Sequence, residues 1–151
     1  IVADIAPVNY PIEKQNIADK LLGLNLDMIK SRNEADELLS GSIKEKFIRS
    51  FLIQNLHLHE NKYRWSINLL AIKEAMNNLR SFPFPKKVEV VNNKTLCVYG
   101  QNSDYVSNEN FQIFKNFFSN ISFSEIKNAG HYLHVEQPKE FYNTVRNFLI
   151  N

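Results

Sequence analysis

A single cysteine in 151 residues rules out a disulfide within the chain, and Cys97 sits inside the apolar run TLCVYG. There it reads as a buried small hydrophobe and not as a nucleophile. A reducing compartment fits, so the expected location is intracellular, cytoplasmic or organellar. No apolar stretch approaches the roughly 20 residues that cross a bilayer. No charged-then-apolar segment with a small-residue cleavage site is present either, so no targeting segment is expected within the chain. Charge of one sign is equally scarce: 18 basic residues face 16 acidic ones, for a net charge of +2. The absence of long like-charged runs excludes the basic stripe of a nucleic-acid binder and a polybasic membrane anchor. Repeats and low-complexity tracts are also missing, although asparagine doublets such as Asn77-Asn78 and Asn92-Asn93 recur.

What is present is the composition of one globular domain, 44% apolar and 23% charged, long enough to build a core. The opening IVADIAP reads as a strand already under way, apolar on both faces as in a parallel sheet, with Asp4 at its far end. After Pro7 and Pro11 helical signals dominate for about seventy residues. Ile17, Leu21 and Leu24 share a helix face, with Gly23 as a cap. Ser42 and Glu45 have the spacing of a capping box, followed by a buried stripe of Ile43, Phe47 and Phe51 with Ile48 and Leu52. The alternation in LHLHENKYRWSIN predicts a hairpin around Asn61-Lys62, whose Trp65 would anchor this region to the rest of the protein. Asn68 is the expected N-cap of a helix presenting Leu69, Ile72, Met76 and Leu79.

From TLCVYG onward the elements alternate. A strand over Thr95 to Tyr99 is followed by a helix from about Ser107 to Phe118, with Phe111, Phe114, Phe117 and Phe118 facing the core. A strand over Ile121 to Ile126 and a helix opening at Pro138 complete the series. The expected class is therefore α/β with a mostly parallel sheet and flanking helices. Its expected organisation is a core strand with its loop over 1–10, a helical insertion over 11–87, and a strand-helix-strand-helix core over 88–151.

Ligand-facing groups of such a sheet lie in loops leaving the carboxyl ends of strands. Three loops qualify, carrying Asp4 in ADIAP, Ser103 and Asp104 in GQNSDYV, and His131 in NAGHY. An acid and a histidine on one sheet edge are the means of holding an imidazole in the tautomer that can deprotonate a hydroxyl. His134 follows His131 by three residues, but no cluster completes a metal site, so no metal is expected. His57 and His59 read as a polar strand face.

The motifs VADIAPV, LCVYGQNSDYV and NAGHYLHVEQP, in that order, resemble the C-terminal half of an α/β-hydrolase of the small-cap esterase and thioesterase-like branch, the likeness running from Ile1 to the end. The resemblance implies a helical cap over 11–87, acting as an apolar lid, and a sheet whose other half, with a nucleophilic serine on a strand-to-helix elbow, precedes Ile1. No G-x-S-x-G occurs in the chain. His131 falls on the family's base, and Tyr132 would border the substrate pocket. The acid usually stands three residues past the glycine of TLCVYG, which lands on Ser103, with Asp104 one residue late. In the small-cap branch it matches Asp4, which is preferred. The implied activity is hydrolysis of a small acyl ester or thioester without cofactor. The alternatives are a dehalogenase or epoxide hydrolase with an aspartate nucleophile, and a non-catalytic binding protein on the same fold.

Overall fold

The computed structural model describes residues 1–11 and 16–150. In chain order the elements are β1 (Val2–Ala3), α1 (Ile17–Leu22), a 3-10 turn (Leu26–Met28), α2 (Arg32–Leu39), α3 (Lys46–Ile53), β2 (Leu56–His59), β3 (Lys62–Trp65), α4 (Leu69–Leu79), β4 (Thr95–Gly100), α5 (Asn110–Phe117), β5 (Ile121–Ile126), α6 (Leu133–Glu136) and α7 (Pro138–Ile150). They form two compact units, one of Ile1–Asn9 with Phe82–Asn151 and one of Tyr10–Ser81.

The first unit is a parallel sheet in the order β1-β4-β5. Central β4 is buried along almost its whole length, which its unbroken apolar run requires. Side chains alternate across the strand. Leu96 and Val98 pack with Ile126, Ala129, Leu133 and the α7 residues Phe141, Val145 and Phe148 on one face. Cys97 packs with Ala6, Val106 and Phe114 on the other, joined by Phe111 and Phe123. Each fully buried apolar side chain of this kind contributes about 1.5–3 kcal/mol. α7 starts at Pro138, as its sequence predicts. α5 starts three residues later than expected, because the Ser107 N–H is taken by Asn110 Oδ1 at 2.9 Å and the chain turns there first.

The register positions the loops. Ala3 lies opposite Val98, and Gly100 opposite Ile126. The residues after β1, β4 and β5 therefore leave the same edge of the sheet.

The second unit surrounds a core of Leu21, Ile29, Ala35, Leu39, Ile43, Ile53, Leu56 and Leu69. α1 opens with an unforeseen capping box, Asn16 with Asp19, and closes at Gly23. The Ser42 and Glu45 box does not form. The Ser42 hydroxyl donates to the Leu39 carbonyl at the end of α2, and α3 begins after Glu45 without a side-chain cap. The buried face of α3 carries Ile53 and Arg49, flanked by Ile48 and Leu52, while Phe47 and Phe51 are exposed. Arg49 is bidentate to Asp36 at 2.8 and 3.1 Å and donates to the carbonyls of Ile43 and Lys44 at 3.0 and 2.9 Å. The β2–β3 hairpin turns on Glu60 and Asn61, both at positive φ, one residue before the expected position. Trp65 packs on this unit's own core. Asn68 caps α4 through Ala71 N at 3.0 Å. Among the described residues, no helix is long and apolar enough to cross a membrane.

Candidate active site

Asp4 continues the β1–β4 pairing by one more bond, its N–H donating to Val98 O at 2.8 Å, and then turns with φ at 47°. Left-handed backbone at a residue with a side chain costs on the order of 1–3 kcal/mol, though aspartate tolerates it better than most. The kink aims the carboxylate along the sheet edge towards β4 and β5. There Asp4 is 1% exposed.

A carboxylate so buried must have its lone pairs occupied. The Gly100 N–H donates to Oδ1 at 3.0 Å. Oδ2 receives the Ser103 hydroxyl and lies 2.8 Å from Nδ1 of His131. With Asp4 ionised, Nδ1 carries the proton, and the neutral imidazole keeps its lone pair on Nε2. The His131 side chain is 37% exposed, so the ring has one edge locked on a buried acid while part of it stays open.

The ring is also held across its face and through its backbone. Tyr105 stacks on it with centroids 3.9 Å apart and planes 19° from parallel, and Tyr132 meets it edge-on at 5.4 Å. The Glu136 carboxylate accepts the N–H groups of the two residues flanking His131, from Gly130 at 2.8 Å and Tyr132 at 3.1 Å. Asn128, at φ 55°, starts the turn, its N–H donating to Gln101 Oε1 at 3.1 Å. Asn102 N–H donates to Ala129 O at 2.9 Å, tying the loop after β4 to the loop after β5.

Of the residues singled out from sequence, Asp4 and His131 are brought together and Tyr132 adjoins them. Asp104 is exposed and does not meet the imidazole; the Oγ of Ser103 lies at the acid instead. Ser103, Tyr105 and Glu136 were missed as partners of the pair. Only Ser103 carried a signal, through its place three residues past Gly100. His134 is exposed, near Phe141, and among the described residues no group of three potential ligands could hold a metal ion. Cys97 is fully buried beneath this edge, and burial, with a smaller contribution from the Asp4 charge, pushes its thiol up to about 12.

No family model matches the sequence. Whole-chain likeness decides the matter: the structure of a marine microorganism esterase superposes on 97% of the chain with a TM-score of 0.88 at 31% identity. This chain is an α/β-hydrolase. The sn-1-specific diacylglycerol lipase ABHD11 of Xenopus laevis is 34% identical over 119 residues, 79% of this chain. A thioesterase domain from the curacin biosynthetic pathway shares the fold, with a TM-score of 0.58 at 16% identity over 93% of the chain. The chain spans only part of each, 38% of the lipase, 59% of the esterase and 55% of the thioesterase domain.

Proposed function

We propose that this α/β-hydrolase chain provides the acid and the base of a serine-type hydrolase acting on a small acyl ester or thioester. In this reading the nucleophilic serine is carried by polypeptide preceding Ile1, which also completes the sheet. The observation that supports it is the 2.8 Å contact between Nδ1 of His131 and Oδ2 of a fully buried Asp4. The esterase and the lipase among the relatives support an ester as substrate, and the buried thiol is compatible with an intracellular compartment.

Nε2 of His131 takes the proton of the serine hydroxyl as its oxygen attacks the acyl carbon. Asp4 holds the imidazole in the competent tautomer and stabilises the imidazolium that forms. The same Nε2–H protonates the departing alkoxide or thiolate, leaving an acyl-enzyme. His131 then deprotonates the water that releases the acid and regenerates the serine. Tyr132 borders the acyl site.

The test is hydrolysis of p-nitrophenyl butyrate by the intact protein. His131→Ala lowers kcat by at least about 10³-fold with the fold retained, and Asp4→Asn by a similar order. Asp104→Asn stays within about twofold, as for an exposed side chain. Undiminished turnover in His131→Ala refutes the assigned base, and a larger loss in Asp104→Asn than in Asp4→Asn moves the acid to the later loop.

A further inference from the structure

We propose that Ser103 is a positioning residue of the Asp4–His131 pair, its hydroxyl setting the one carboxylate orientation that receives the imidazole; this rests on the function proposed above. The Ser103 oxygen has two assigned partners. It accepts the Tyr105 N–H at 3.2 Å and donates its only proton to Asp4 Oδ2, the oxygen that meets His131. Acceptance from Tyr105 occupies one lone pair and orients the O–H bond towards the acid.

The carboxylate is then fixed at three points. Gly100 N–H holds Oδ1, while the hydroxyl and Nδ1 share Oδ2. Without the hydroxyl, Asp4 keeps one backbone donor and rotates more freely about its last torsion, which is soft. The turn itself does not need the side chain, since Ser103 N–H already donates to Gly100 O at 3.1 Å. The same short loop brings Tyr105 onto the imidazole face. One segment therefore restrains both the acid and the ring of the base.

Two consequences separate positioning from mere support of the loop. A freer carboxylate presents the imidazole less often in line, so kcat falls while KM holds. A hydroxyl that no longer shares Oδ2 leaves more negative charge facing the ring, favours the imidazolium and moves the acid limb of the pH–rate profile upward.

The experiment compares Ser103→Ala, Ser103→Thr, Ser103→Val and His131→Ala in the intact protein, with p-nitrophenyl butyrate from pH 5 to 9 and a thermal melt for each. Ser103→Ala and Ser103→Val are expected to lower kcat roughly tenfold with KM within about twofold, the scale of one hydrogen bond to a charged group. Their acid limb moves upward, and Ser103→Thr restores rate and limb. A Ser103→Ala protein with the parental kcat and limb, beside an inactive His131→Ala, overturns the assignment and leaves the base in place. Turnover surviving in His131→Ala overturns the underlying function instead. Should Ser103→Ala fail to fold, Ser103→Cys, of similar size and a weak donor, decides against Ser103→Thr: an identical limb in the two overturns the proposal.

Discussion

A β-carbon on Gly100 would stand 2.3 Å from the carbonyl oxygen of Gly130 and 2.5 Å from that of Ala129. The end of β4 and the turn bearing His131 thus touch through bare backbone, and only glycine permits it. Gly100→Ala must push the turn off the strand, at about 1–3 kcal/mol of overpacking. A melt should show a midpoint lowered by roughly 2–4 °C per kcal/mol. Ester turnover in the intact protein should fall with it, because the displaced turn carries the imidazole away from Asp4. An unshifted melt would mean the two loops part without cost.

Glu136 grips the backbone on both sides of His131, and its removal exposes two N–H groups that water can satisfy. Glu136→Ala is therefore expected to cost only about 1 kcal/mol in stability. The expected loss in kcat is larger, roughly tenfold, because catalysis tolerates little displacement. Glu136→Gln, which keeps one oxygen acceptor, should fall between. Equal activity in all three proteins would show that the turn holds itself.

Asp36 offers a test by acid. Its hydrogen bond to the Arg49 guanidinium holds its carboxyl below the ordinary value of 3.8. A carboxyl lowered in the folded state adds stability that is complete above the unfolded value and disappears as pH falls through the folded one. Stability should thus drop on acidification below about pH 4, the unfolded carboxylate range. In Asp36→Asn that segment of the curve should be flatter, as read from urea midpoints at successive pH values. A parallel curve would place the acid sensitivity elsewhere.

Cys97 should be inert while the protein is folded. With its thiol pushed up to about 12 by burial, almost no thiolate exists near neutral pH, and the sulfur is inaccessible as well. Followed by peptide mapping, Cys97 should stay unlabelled by iodoacetamide in the native protein and become labelled after denaturation. Rapid native labelling would reveal an opening of the sheet at β4.

Much of the first unit was legible because its signals are local and agree with one another. TLCVYG and ISFSEI read as strands and Pro138 as a helix start, and each stands where expected. Asp4 and His131 could be paired because parallel strands send their following loops to one edge. The less legible features depend on tertiary choice. Ser42 could cap forward or bond backward, and the end of α2 captured it. Phe47 and Phe51 fit a helical stripe, but the stripe turned towards the core carries Arg49, whose guanidinium has four acceptor contacts there. The partners of the imidazole were hidden for a similar reason. A serine, a tyrosine and a glutamate are ordinary surface residues until the fold delivers them to one ring.

Asn9 Oδ1 accepts the N–H of Phe82 at 2.8 Å, and the N–H of Tyr10 donates to the Arg80 carbonyl at 2.8 Å, so the long excursion between β1 and β4 departs and returns through neighbouring residues. Closure entropy grows only logarithmically, about 0.6 kcal/mol for each doubling of an excursion. The span from Tyr10 to Ser81 is therefore a cassette: grafts of other lengths joined at this doorway should leave the strand pairing that supports Asp4 in register.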